Sequence, residues 1–182
     1  MSGFRLQRQH AAVLLVDAQE KLAAAMPKAE LERMVKRTGA LLEGARVLGL
    51  PMVFTEQYPK GLGPTLAVLR ERLPGLTPVE KLRFSALDDR VRKQLQGRRQ
   101  VIVAGMETHI CVYQTVRALS EEGALPVLCA DAVLSRFEVD TRVGLQLAAD
   151  AGAMVATVET ALFDLLGEAG TAEFKRISAA VR

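Results

Sequence analysis

The sequence is short of the residue types that hold a chain together from outside a hydrophobic core. It has two cysteines, Cys111 and Cys129, two histidines, His10 and His109, no tryptophan, and only 4% aromatic residues. Two thiols that follow different predicted strands do not make a disulfide framework, and two isolated histidines with no CxxC spacing do not make a zinc site, so no metal or other cofactor is expected. The scarcity of aromatics leaves little to stack nucleic-acid bases on. The net charge of +3 and the pI near 9.1 come from lysines and arginines scattered over helical faces rather than a concentrated stripe, which argues against a nucleic-acid partner. No apolar run reaches membrane-spanning length, and the stretch MSGFRLQRQH lacks the apolar segment of a signal peptide. The expectation is no membrane partner and a reducing, cytoplasmic home.

What is present is enough for a core. Residues 1–182 are 49% hydrophobic and 25% charged, a globular balance, and the length fits one domain without linker or repeat. Ala11–Val16 (AAVLLV) reads as a buried strand that ends at Asp17. From Glu30 to Leu48, apolar residues at Leu31, Met34, Val35, Leu41, Leu42, Ala45 and Leu48 keep helical spacing, and Gly49 can close that helix. Met52, Val53 and Phe54 begin a second strand ending near Thr55. The following EQYPKGLGPT carries Pro59, Gly61, Gly63 and Pro64 and reads as an irregular loop. It fits neither GxxxxGK[ST] nor GxGxxG, which excludes a nucleotide-phosphate loop.

The spacing predicts short helices over Leu66–Leu73 and Asp88–Leu95, with an extended piece containing Lys81 between them. Beyond these lie a central strand at Val101–Ala104 closed by Gly105, a helix over Thr108–Glu122 and a strand at Leu125–Ala130. A helix over Val139–Ala151, a short strand at Ala153–Ala156 and two closing helices complete the chain. Alternation of this kind indicates an α/β fold with a mostly parallel sheet.

The stretch QVIVAGMETHICVYQTVRAL (Gln100–Leu119) organises the rest. Cys111 stands just inside a predicted helix, where free backbone amides and the positive end of the dipole favour a thiolate; its pKa is expected below the free value of roughly 8.5. A buried free cysteine is also a small hydrophobe, and position alone supplies no base. Asp17 sits where open α/β sheets bind ligands, although a helix cap or loop carboxylate explains it equally. Spacing gives no reason to select Lys81, since a solvated lysine is ordinary there.

VLLVDAQ, VEKLRFSAL and VIVAGMETHICVYQT, in that order over nearly the whole chain, resemble the isochorismatase-like cysteine hydrolase superfamily. TEQYPKGLGPT and GMETHICV are most similar to the isochorismatase domain-containing proteins. The resemblance implies a three-layer α-β-α, Rossmann-like fold on a six-stranded mostly parallel sheet. It also implies a catalytic triad of Asp17, Lys81 and Cys111. In that chemistry the carboxylate takes the thiol proton and returns it to a departing amine, while the lysine steadies both negative charges. The thiolate attacks a carbonyl to give a thioester that water hydrolyses.

The superfamily has a cis peptide that corresponds here to Met106–Glu107, and the amides of Glu107 and Cys111 would form the oxyanion hole. Gln19, Gln57, Tyr58, Phe84 and Thr108 are pocket candidates by their place in these segments. His109 is expected at a surface or interface, and Cys129 in the core. Metal-dependent nicotinamidases of the superfamily carry histidines where Glu56–Thr65 has none, so no metal is expected. The implied activity is cofactor-free cleavage of a C–N bond in a small amide or carbamoyl compound by a homo-oligomer. Vinyl-ether hydrolysis of the isochorismate type, and a non-catalytic interaction or redox-responsive protein on the same fold, are the alternatives.

Overall fold

The computed structural model describes residues 5–182; the first four residues of the basic N-terminal stretch lie outside it. The elements in order are β1 (Ala11–Val16), α1 (Glu20–Ala23), α2 (Lys28–Leu48), β2 (Met52–Gln57), α3 (Pro59–Leu62), α4 (Ala67–Arg70), β3 (Val79–Lys81) and α5 (Asp89–Gln94). They continue with β4 (Gln100–Met106), a π-helical turn (Thr108–Val112), α6 (Tyr113–Glu121), β5 (Leu125–Leu134), α7 (Glu138–Asp150), β6 (Met154–Ala156), α8 (Val158–Leu166) and α9 (Ala172–Ala180). The six strands pair in the order β3-β2-β1-β4-β5-β6, and every pairing is parallel.

All six residues of β1 are buried, which is why it reads as a continuous apolar run rather than an alternating one. Its side chains divide between two cores, as the period of two requires. Ala11, Val13 and Leu15 meet Leu41, Ala45, Leu162 and Ile177 from α2, α8 and α9. Ala12, Leu14 and Val16 meet Val91, Val116 and Ala148 from α5, α6 and α7. These two cores make the three layers. Each fully buried Leu or Val side chain contributes roughly 1.5–3 kcal/mol.

Three expectations are corrected at the carboxyl edge of the sheet. Gly105 does not end β4: at φ +122 it carries the strand on to Met106, pairing with Val16. A Cβ there would lie 1.9 Å from the Val16 carbonyl oxygen, so only glycine permits this approach. Residues 56–65 are not wholly irregular, because Glu56 and Gln57 extend β2 and Pro59 opens the single turn of α3. β5 runs past Asp131 to Leu134, and the Asp131 carboxylate accepts the Val158 N–H at 2.8 Å at the start of α8.

The helix predicted from Thr108 divides into the π-helical turn and α6. Gly144 of α7 packs directly on that turn, since a Cβ there would lie 2.7 Å from the His109 nitrogen.

Candidate active site

The reversal of strand order falls between β1 and β4, and open α/β sheets bind ligands outside the carboxyl ends of the strands at such a point. Asp17 follows β1 with φ +47, a left-handed conformation that Asp tolerates better than most residues. Its N–H donates to the Thr55 carbonyl at 3.2 Å, and the Thr55 hydroxyl donates to Asp17 Oδ1 at 2.7 Å. Lys81 Nζ donates to the other oxygen, Oδ2, at 2.5 Å. Asp17 is wholly buried and Lys81 nearly so.

Removing an ammonium from water is costly unless its protons are satisfied. Here Nζ, with three protons to give, also faces Gln57 Oε1 at 2.8 Å and the Phe84 and Arg83 carbonyls at 3.0 and 3.1 Å. Three parallel strands and one loop therefore hold a single cation.

Cys111 lies on the π-helical turn beyond β4, and its Sγ donates to Gln57 Oε1 at 3.7 Å. Its carbonyl accepts the Thr115 hydroxyl at 2.6 Å, and the Thr115 Oγ1 in turn accepts the Ala86 N–H at 2.8 Å, joining the turn to the loop after Lys81. The expectation of a lowered thiol pKa is overturned. Burial, followed by the Asp17 carboxylate, pushes the Cys111 thiol up to about 12 against the opposing pull of Lys81. Desolvation of a charged sulfur outweighs the helix-entrance effect at this depth. Cys129 is in the core, where burial likewise raises its thiol pKa.

The Met106–Glu107 peptide is cis. Glu107 is buried, and its Oε2 accepts both the main-chain N–H and the Nε–H of Arg136. Thr108 is fully buried, and its hydroxyl has no hydrogen-bond partner among the described residues. His109 turns toward Ser135 and Asp140, with Nδ1 3.0 Å from Ser135 Oγ and Nε2 3.8 Å from Asp140 Oδ2.

The remaining candidates separate by geometry. Gln19 is fully buried with its side chain committed to scaffold: Oε1 accepts the Gln57 N–H at 2.7 Å, and Nε2 donates to the Gln57 and Gly63 carbonyls at 3.0 and 2.6 Å. It clamps the end of β2 against the following loop. Gln57 reaches the thiol and the ammonium together, whereas Tyr58 and the Phe84 ring are about half exposed. Thr55, Thr115 and Arg136 escaped the sequence reading. Thr55 was detectable in principle, as a threonine at the end of the strand that pairs with β1.

Among the described residues, no group of three or more His, Cys, Asp or Glu side chains is arranged to hold a metal ion, and no helix is long and apolar enough to cross a membrane.

A doubly wound parallel sheet with a carboxylate, an ammonium and a thiol gathered at its switch point defines a cysteine-hydrolase class of α/β protein. Comparison with known proteins narrows the class to a family: the isochorismatase domain model matches residues 11–160, and the chain belongs to the isochorismatase family of hydrolases. It is 36% identical over 173 residues to isochorismatase domain-containing protein 2 of Bos taurus, covering 93% of this chain and 82% of that protein. Among solved structures it is similar to the MAR1 ribonuclease of Caenorhabditis elegans, with a TM-score of 0.92 at 32% identity over 98% of this chain and 92% of the other. It is also similar to YcaC of Escherichia coli, an octameric hydrolase of unknown specificity, with a TM-score of 0.87 at 25% identity over 100% and 89% of the two chains.

Proposed function

We propose that this protein is a cofactor-free cysteine hydrolase that cleaves the C–N bond of a small amide or carbamoyl compound through a thioester. The observation that carries this reading is the buried Lys81–Asp17 pair at 2.5 Å, whose charges both act on the Cys111 thiol. Because the resting thiol is neutral, its proton leaves for Asp17 as sulfur attacks the carbonyl carbon, rather than beforehand. The carbonyl oxygen takes the developing charge toward the Glu107 and Cys111 N–H groups. Collapse breaks the C–N bond, and Asp17 returns the proton to the departing nitrogen. Water then gives a proton to Asp17 and its oxygen to the acyl carbon; the C–S bond breaks, and the sulfur is reprotonated.

The whole chain serves as one catalytic domain in this reading, and the free thiol suits a reducing cytoplasm. A homo-oligomer fits the apolar outer face of α7, where Val139, Val143 and Leu147 stand partly exposed behind Phe137, and it agrees with the octameric state of the E. coli relative. The neutral thiol also favours one second reading, a vinyl-ether hydrolase in which Asp17 as an acid does the chemistry and Cys111 is dispensable.

The test is ammonia release from a panel of small primary amides and carbamoyl compounds, with intact-protein mass to trap an acyl adduct. Loss of turnover in Cys111→Ser, Asp17→Asn and Lys81→Met, with an adduct on Cys111 of the wild type, is the expected result. A vinyl ether of the isochorismate type is assayed beside them, and its turnover surviving Cys111→Ala but not Asp17→Asn supports the vinyl-ether chemistry. A short RNA belongs in the panel because the C. elegans relative is named a ribonuclease; RNA cleavage that survives Cys111→Ser overturns the thioester route.

A further inference from the structure

Gln57 stands between the two groups that must cooperate. Its Oε1 accepts from Lys81 Nζ at 2.8 Å and from Cys111 Sγ at 3.7 Å. The orientation of the amide is fixed, because Nε2 donates to the Leu82 carbonyl at 3.0 Å and cannot exchange places with Oε1 without facing the ammonium. The main chain of Gln57 is held on both sides by Gln19, through its N–H and its carbonyl. An amide carbonyl has two lone pairs; one remains on Lys81, and the other is occupied by the thiol proton only until that proton moves.

We infer that Gln57 Oε1 selects nitrogen over oxygen or carbon on the reacting carbonyl, by accepting an N–H from the substrate's –C(=O)–NH2 group once the thiol proton has gone. This rests on Cys111 being the nucleophile. After attack, the substituents of the acyl carbon lie beside sulfur, where the vacated lone pair points. An amide or carbamoyl nitrogen offers an N–H to it and still presents its own lone pair to the proton held by Asp17. An ester oxygen in the same place sets lone pair against lone pair, and a methyl group leaves the acceptor unpaired. Gln57 keeps its own protons throughout.

The test uses two reagents that place an acyl carbon directly on sulfur. Isocyanic acid, from cyanate, adds the thiol across its C=N bond and leaves S–C(=O)–NH2, with the thiol proton ending on nitrogen. p-Nitrophenyl acetate leaves S–C(=O)–CH3 and releases p-nitrophenol. Rates of Cys111 modification are read by intact mass in wild type, Gln57→Leu and Gln57→Glu.

Both rates fall in Gln57→Leu because Lys81 loses a partner, but the ratio of cyanate to acetate labelling drops about tenfold, the weight of one hydrogen bond. In Gln57→Glu, which keeps the acceptor, the ratio stays near that of wild type. A ratio unchanged in Gln57→Leu overturns the inference and leaves the nucleophile intact. If Cys111 of the wild type reacts with neither reagent, the underlying assignment of the nucleophile fails instead.

Discussion

Arg136 grips a single oxygen of Glu107 twice, through its main-chain N–H at 3.1 Å and its Nε–H at 3.0 Å. The grip joins the loop before α7 to the residue that opens the cysteine turn. Glu107 is buried, whereas the Arg136 side chain is 47% exposed, so solvent screens the pair and its Coulombic worth is small. The Glu107 charge nevertheless opposes ionisation of Cys111. Arg136→Met is expected to destabilise the protein by about 1 kcal/mol, measured by urea unfolding, through the poorly satisfied carboxylate it leaves. It also slows alkylation of Cys111 at fixed pH. Combining it with Glu107→Gln recovers most of the stability; a double variant that simply sums the two losses contradicts the coupling.

The Lys81–Asp17 pair gives a larger effect because neither partner reaches solvent. In Lys81→Met the Asp17 carboxylate keeps the Thr55 hydroxyl but loses its cation in a buried site. The expected loss is about 3–5 kcal/mol of unfolding free energy. Lys81→Met/Asp17→Asn, which removes both charges, is expected to be more stable than Lys81→Met alone while remaining inactive. Greater stability loss in the double variant would show that the pair is not coupled as its geometry indicates.

The displaced thiol pKa predicts two pH profiles. With the Cys111 thiol pushed up to about 12, its alkylation by iodoacetamide climbs steadily with pH and shows no plateau below about pH 11. The folded chain retains this proton where the unfolded chain, titrating near the free value of roughly 8.5, has lost it. The contribution to stability is therefore complete below about pH 8.5 and is lost as pH rises toward about 12. Urea midpoints of wild type and Cys111→Ala, measured from pH 7 upward, test the sign: the wild type should fall more steeply. An inflection in the alkylation profile below pH 8 contradicts both profiles.

Much of the scaffold was legible because apolar pattern and buried strand coincide. β1 has the same ends in sequence and structure, and α2 differs only by starting at Lys28 rather than Glu30. Legibility fails where the strands enter the site. β2 continues past Thr55 through Glu56 and Gln57, polar positions that hydropathy trims, and β5 continues past the polar Asp131 to Leu134. They are polar for a reason: Thr55 and Gln57 hold Asp17 and Lys81, and Glu56 accepts both the N–H and the hydroxyl of Thr65. Lys81 was invisible to spacing because β3 is a three-residue edge strand, and only the family resemblance selects it. The thiol was misjudged by weighing the helix entrance without the depth of burial, which no local pattern reports.

The outer face of α7 supports a last prediction. Val139, Val143 and Leu147 recur at intervals of four along one stripe, 52%, 46% and 37% exposed, and Phe137 continues it at 63%. The adjoining side of the helix, at Gly144 and Ala148, is already packed against the cysteine turn and the core. An apolar stripe of this kind fits the homo-oligomer proposed above. A helix stripe meeting its own copy satisfies the self-complementarity of a two-fold contact. Val143→Asp places like charges opposite each other across such a contact and is expected to lower the mass measured by light scattering, with the folded protomer retained in circular dichroism. Because Gly144 couples the same helix to Thr108 and His109, separation of the copies should also reduce turnover. If the mass of Val143→Asp equals that of wild type, the oligomer does not form through this stripe. If the mass falls while turnover is unchanged, α7 serves assembly alone.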